Sequence, residues 1–380
     1  MAIVNFPANP TIGDQYNENG ITYTWNGAAW TANGAENTDA RYVQVTGDTM
    51  TGSLNVPSLN SGPLAGFRNA LVNGDFRIWQ RGTTGTAGGS AEYVSVDRWL
   101  ASAGVAINQQ TAAATPTDVA SYAALISRVG GGNITQAVEL ERTGRCGPFT
   151  QTSQWTVSIW SNGATAPTVG LSFADNAINQ NSVAAGGGNQ VMTSTGETSN
   201  NTTVGTYTRY EATFTINADP GANNTCLNVI FIFADDSTRI CNAQLEPGPV
   251  ATPFEIRPLS TELSLCQRYA YRIESSSSTV YTRFGGGVAD GSSSLTALVQ
   301  FPVTMRSIPN SITSASSGNF QASNGVVGQI GTNLTLQTST RSKTSSIINL
   351  AVGGGLTSGN YYFLEAASNN NAWIIFEAEL

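Results

Sequence analysis

Hydrolysis in a chain without a single histidine would have to rest on carboxylates, and three close pairs are on offer: Glu139 with Glu141, Asp235 with Asp236, and Glu377 with Glu379. A glycosidase needs two such groups ~5–9 Å apart across a sugar, one as acid and the other as base or nucleophile. Each pair has a plainer reading as solvated strand or turn residues, and the spacing selects no groove. The missing histidine also removes the commonest general base, the commonest zinc ligand and every Ser-His-Asp or Cys-His arrangement. The glycine runs RVGGGN, AAGGGN, FGGGVAD and VGGGL lack the Lys-Ser/Thr ending of a phosphate loop and read as turns. The expectation is a protein that is not an enzyme.

Binding chemistry is better supplied. An aromatic face can stack on the apolar face of a pyranose while Asn, Gln and Asp bond its hydroxyls. In QWTVSIW, strand alternation puts Trp155 with Val157 and Ile159 toward a core and leaves Trp160, with Thr156 and Ser158, on the opposite face as a candidate exposed ring. Near the C-terminus Tyr361, Tyr362 and Trp373 flank the amide-rich loop SNNN, which holds Asn369 and Asn370. That cluster is a candidate contact surface, or else a set of ordinary strand-end aromatics. Asp75 and Glu246 could meet at a sheet edge as oxygen ligands for calcium, but two carboxylates are few for such a site, so no cofactor is expected.

Those residues must be held by β-structure. Charged residues are only 11% of the 380, glycine occupies 40 positions, and Ser, Thr and Asn come in long runs. A net charge of -8 would repel phosphate backbones, so nucleic acid is an unexpected partner. No apolar run approaches the ~20 residues that span a bilayer, and MAIVNFPANP lacks the basic and apolar regions of a signal peptide, so no membrane insertion or export is expected. Cys146, Cys226, Cys241 and Cys266 form no CxxC pair. If Cys226 and Cys241 flank a hairpin turning at Asp235-Asp236, Cys241 faces Ile230 and a disulfide would need another register, which favours buried thiols.

Four segments follow along the chain. Residues 1–33 carry two Asn-Gly pairs, with a third, Asn33-Gly34, at their end; all suit type I′ turns around the alternating ITYTW, which predicts a small β-meander whose Tyr16, Tyr23, Trp25 and Trp30 make its core rather than a sugar platform. Residues 34–66 are polar and too poor in apolar residues to fold alone, although symmetric association could supply the missing surface. Residues 67–258 hold short strands spaced by Gly, Asn and Asp turns, which predict a jelly-roll β-sandwich. Residues 259–380 open with the helical stretch STELSLCQRYAY, with Ser260 as N-cap and Glu262 in the first turn, and continue as an antiparallel β-sandwich ending in the strand AWIIFEAEL. The fold class is mainly β.

Three groups of residues carry a resemblance. YVQVTGDTMTGSLNV, Tyr42 to Val56, resembles a short repeat of bacteriophage tail fibres and related tail proteins. NALVNGDFRIWQRG, then Asp97-Arg98-Trp99, AQLEPGPVATPFE and LCQRY resemble, in order, a phage-tail pattern that bounds a jelly roll similar to carbohydrate-binding modules. FPANPTIGD and YTWNGAAW resemble a small N-terminal module of phage structural proteins. The resemblance implies a homotrimeric virion protein joined at its N-terminal region to tail or baseplate proteins, with a C-terminal head that recognises host surface polysaccharide or lipopolysaccharide. A purely structural component that docks other fibre proteins is the main alternative. A tailspike-like depolymerase ranks last, since no solenoid period is present.

Overall fold

The computed structural model describes residues 5–18, 21–32, 67–110, 112–140, 149, 152–174, 183–217, 225–276 and 281–379. The Tyr42–Val56 motif and the rest of the 34–66 connector lie outside these residues, as do Cys146 and Glu141. The chain divides into two compact units, Met1–Val56 and Pro57–Leu380.

The first unit contains the antiparallel meander β1 (Gln15–Glu18), β2 (Ile21–Trp25) and β3 (Trp30–Ala32). Phe6 packs among its aromatics, with ring centroids 5.7 Å from Tyr16, 4.9 Å from Tyr23 and 5.4 Å from Trp30, so these rings do form the module's core. The Asn26-Gly27 turn differs from expectation. Trp25 pairs with Trp30 across a longer loop in which Gly27 has positive φ while Asn26 does not. A type I′ turn needs both. Here the Asn26 side chain closes the loop instead, its Oδ1 accepting the N–H groups of Ala28 (3.0 Å) and Ala29 (2.8 Å).

In the second unit, residues 84–247 form a two-sheet sandwich from β4 (Thr84–Thr86), β5 (Leu100–Ala101), β6 (Ala106–Gln110), β7 (Ala123–Ser127), β8 (Gly132–Glu139), β9 (Gln154–Ser161), β10 (Thr168–Ala174), β11 (Val183–Ala184), β12 (Gln190–Val191), β13 (Thr193–Asn201), β14 (Gly205–Thr215), β15 (Cys226–Phe233) and β16 (Ser237–Pro247). One sheet runs β11-β10-β15-β8-β5, with β12 also paired to β10; the other runs β13-β14-β9-β16-β7-β6-β4. Alternation fills the space between them. Leu227, Val229, Phe231 and Phe233 of β15 meet Trp155, Val157 and Ile159 of β9, with Trp99 stacked on Phe76 at 5.0 Å. Burying each such side chain contributes roughly 2–3 kcal/mol.

The expected hairpin of β15 with β16 is absent, because the two strands lie in opposite sheets. Each is already flanked on both edges, β15 by β10 and β8 and β16 by β9 and β7, so Ala234–Asp236 bridges the sandwich rather than closing a ladder. Cys241 therefore faces Trp160 rather than Ile230. Cys226, Cys241 and Cys266 are all buried.

A single α-helix among the described residues, α1 (Leu259–Gln267), leads into the C-terminal strands. Its N-cap is Pro258 rather than Ser260, because the Pro258 carbonyl already accepts the first helical bond, from the Glu262 N–H (3.1 Å); Glu262 sits in the first turn and is buried. The strands that follow are β17 (Ala270–Glu274), β18 (Arg283–Ala289), β19 (Ser294–Gln300), β20 (Ser311–Ser314), β21 (Phe320–Ser323), β22 (Gly328–Gln337), β23 (Ser345–Val352), β24 (Tyr361–Ala366) and β25 (Trp373–Glu377). They make two packed sheets: a closed antiparallel barrel β18-β19-β23-β22-β21-β24 and a three-stranded sheet β17-β25-β20, sharing one apolar core.

Candidate functional site

The jelly roll buries the aromatic that alternation left outside. Trp160 is 8% exposed, because residues 114–120 lie across the outer face of its sheet and pack Val119 and Ala120 beside Trp160, Tyr207 and Cys241. The Tyr207 hydroxyl donates to the Ala114 carbonyl (2.7 Å) and Asn242 Nδ2 to that of Val119 (2.9 Å). Further along the same face the 248–252 segment takes bonds from Thr156 and Arg209. Trp160 is thus a core residue of a second layer.

The carboxylates turn out to be fasteners. Asp235 accepts the N–H and hydroxyl of Thr165, and Asp236 the N–H of Gly130 (2.7 Å), stapling loops at one end of the sandwich. Glu139 pairs with Arg268 (2.8 Å) and Arg306 (3.1 Å). Glu377 and Glu379 both hold Arg81, at 3.2 and 3.0 Å, and Glu379 also holds Arg98. Of the calcium candidates, Asp75 pairs with Arg77 (2.8 Å), while Glu246 bonds Thr252, Gln244 and Arg68. Among the described residues no three acids or thiols gather as a metal site.

Residues of the motifs that bound the jelly roll enter the same kind of contact. Asn73, at positive φ and fully buried, donates from Nδ2 to the carbonyls of Ile78 and Asp97 and accepts at Oδ1 from the N–H groups of Arg77 and Ile78. Gln80 bonds Asp97 and the Ala270 carbonyl, and Arg81 bonds Asp97 (3.1 Å). The Arg98 guanidinium lies 3.5 Å over the Tyr269 ring and donates to the Ala137 carbonyl. Asn69, Glu255, Arg257 and Glu262 make a second buried network that ties the opening of the jelly roll to α1. The motifs therefore form a clasp between the sandwich and the C-terminal sheets.

Its charges are perturbed accordingly. Burial raises the Asp97 carboxyl to about 6 against the opposing pull of Arg81. Burial likewise lifts Asp75 to about 6 despite Arg77, with Glu262 adding to the rise. For Arg81 and Arg98 burial alone favours the neutral form, but the surrounding carboxylates, Glu379 foremost, more than offset it and hold both guanidiniums charged.

The C-terminal aromatics divide. Tyr362 faces the barrel core, its hydroxyl accepting the Thr357 N–H (3.0 Å). Trp373 is half-buried under the Arg272 guanidinium at 4.9 Å. Asn369 shapes its own turn, donating to the Asn319 carbonyl and accepting the Asn371 N–H; Asn370 is exposed. Tyr361 begins β24 whereas the amide loop follows its end, about 17 Å further on at the rise of a strand, so the expected cluster does not converge.

Tyr361 instead belongs to a platform on the outside of the barrel. Alternation along β24 turns Tyr361, Phe363 and Glu365 outward, and the register sets Gly286 and Ser323 beside Phe363, Val288 beside Tyr361, and Arg283 and Gln321 beside Glu365. Tyr361 is 56% exposed and lies over Gly286, where a Cβ would run into its phenol. Phe363 meets Tyr361 edge-on at 5.3 Å and carries the Arg283 guanidinium 3.7 Å above its ring. Glu365 is buried beneath, accepting from Gln321 Nε2 at 2.9 Å. Exposed Leu298, Val288 and Ile330, with Val326 and Val327 at the β21–β22 turn, complete an apolar rim. Period-two reading of YYFLEA could have found Phe363 and Glu365; Arg283, Gly286 and Gln321 join through ladders that no local pattern specifies.

No family model matches this sequence, and no curated protein matches it. Among solved structures the chain is similar to the enzymatically active domain of tailspike protein 4 of bacteriophage CBA120, at 14% identity and a TM-score of 0.30 over 49% of this chain. The match spans 22% of that tailspike chain. It is also similar to TmCBM61 in complex with β-1,4-galactotriose, at 14% identity and TM-score 0.23 over 48% of this chain and 99% of that one. The N-terminal CBM22-1-CBM22-2 tandem domain of Paenibacillus barcinonensis Xyn10C matches at 8% identity and TM-score 0.24, covering 74% of this chain and 93% of that chain.

Proposed function

We propose that this protein is a non-catalytic bacteriophage tail-fibre component that attaches the virion to host surface polysaccharide or lipopolysaccharide through the barrel platform. The observation that carries the reading is Tyr361, a large ring held open to solvent over a glycine floor, with Phe363 as a second ring and Arg283, Gln321 and Glu365 supplying polar groups around it. The GDTMTG stretch and the jelly-roll motifs support the virion setting and a homotrimer docked to tail or baseplate proteins by its N-terminal region. Three weak sites on one particle would bind by avidity. The carboxylate pairs do not favour hydrolysis, since their described members are tied to guanidiniums or loop backbone.

The test is adsorption of full-length protein to a panel of intact bacteria and to their extracted polysaccharide and lipopolysaccharide, with Tyr361→Ala and Phe363→Ala alongside and the solution mass recorded. Retained folding with lost adsorption supports the platform. Undiminished adsorption by both variants removes it. A second reading, in which this face docks another tail protein, is favoured by the aliphatic rim of Leu298, Val288, Ile330 and Val326. Pull-down by the fibre's neighbouring tail proteins that Leu298→Glu abolishes, with glycan adsorption absent, would select it.

A further inference from the structure

Arg283 differs from the other ion-paired arginines described. Arg68, Arg77, Arg81, Arg98, Arg209, Arg257, Arg268, Arg272 and Arg306 have side chains at most 33% exposed, and their closest carboxylates lie at 3.3 Å or less. They hold the fold together. Arg283 is 59% exposed, and its carboxylate, on Glu365, stands 3.8 Å away. Glu365 is itself buried and already accepts from Gln321. Phe363 supports one face of the guanidinium at 3.7 Å, which orients the planar fork while its N–H edges remain open.

We propose that the platform selects an acidic saccharide, one ring lying against Tyr361 with its carboxylate or phosphate bound by Arg283. This rests on the glycan-binding reading of the same face. A guanidinium fork matches either anion in a two-pronged, charge-assisted bond closer than its present contact to Glu365, whereas a neutral pyranose would leave that capacity unused. Asp290, exposed and bonded to Thr296, stands at the far end of β18, roughly 20 Å along the strand, so the charge asymmetry favours one direction for an acidic chain.

The experiment is affinity electrophoresis of the full chain in gels containing polygalacturonate, its carboxyl-reduced neutral form, phosphomannan or dextran, with Arg283→Gln, Arg283→Lys and Tyr361→Ala as variants. The net charge of -8 disfavours unspecific capture by polyanions, so retardation reports a site. The expected result is retardation by an acidic polymer that weakens at least ~10-fold in Arg283→Gln, less in Arg283→Lys, and falls as salt rises. Preference between polygalacturonate and phosphomannan identifies the anion. Equal retardation by acidic and neutral polymers, unchanged by Arg283→Gln but lost in Tyr361→Ala, overturns the acid selectivity and leaves the platform standing. Retardation by a neutral polymer alone likewise overturns only the acid selectivity, whereas retardation that survives Tyr361→Ala, or none on any of the four polymers, overturns both.

Discussion

Two sheet faces in the second unit begin from the same sequence logic and end differently. On β9, alternation sends Trp160 away from the sandwich core; on β24 it sends Tyr361 and Phe363 away from the barrel core. Residues 114–120 then cover Trp160, and the ring becomes part of a second packed layer. On the described face of β24 only Arg283 and the neighbouring strands approach, and Tyr361 stays open. Strand period therefore specifies which face a side chain joins, while its exposure depends on whether a distant segment packs there.

The largest effect should come from removing the barrel altogether. A chain ending at Glu255 loses α1, Tyr269, Glu377 and Glu379 and leaves Arg81 and Arg98 without most of their partners. Stranding one buried charge costs about 3–5 kcal/mol. Such a truncation is expected to be insoluble or unfolded by circular dichroism, and a cooperative, soluble product would show that the clasp is dispensable. For the same reason point variants assign the binding surface better than domain deletion.

Next is the contrast between the two faces. Trp160→Ala should lower stability by about 3–5 kcal/mol in denaturant titration, as for a core aromatic, without altering the glycan affinity of the folded fraction. Tyr361→Ala should change stability by no more than about 0.5 kcal/mol yet abolish adsorption. Similar stability losses in both variants would mean that Tyr361 is covered within the isolated protein, which would remove it as a binding surface for glycan or for another tail protein.

A subtler test uses the clasp. Burial raises Asp97 and Asp75 to about 6, above the usual 3.8, so the folded state holds their protons more tightly than the unfolded state does. Their stabilising contribution is complete below pH 4 and lost as pH rises through about 6, on the order of 3 kcal/mol for each. Melting temperature should therefore fall from pH 4.5 to pH 7, with a shallower slope in Asp97→Asn. An unchanged slope would remove Asp97 as its source.

The smallest expected effect is at the platform floor. Gly286→Ala should displace the Tyr361 ring and weaken adsorption a few-fold, with stability lowered by about 1 kcal/mol, readable in parallel binding and melting series. Adsorption equal to that of the unaltered protein would separate Gly286 from the ring's placement.

Much of this molecule was legible before any fold was known. Low charge, turn residues and period-two runs announced a mainly β chain, and QWTVSIW placed Trp155, Val157 and Ile159 in a core, where all three are buried. Local patterns are readable because alternation is a property of the strand itself. The expected β15–β16 hairpin failed for the converse reason. A short turn between two apolar strands suits a ladder or a crossing between sheets, and only the partners already on each edge decide which.

What the sequence alone determined was the β character of the chain, the inward set of its strands and the motifs worth asking about. Tertiary structure decided what those motifs do: Asn73, Arg81, Arg98 and Glu379 meet from positions up to about three hundred residues apart to form a buried clasp. It also decided that Trp160 is covered and Tyr361 open, and that Arg283 lies over Phe363. The physical reason is common to all of these. A residue's backbone tendencies are set by its neighbours in the chain, whereas burial and ion pairing depend on neighbours in space, which long-range pairing alone assigns.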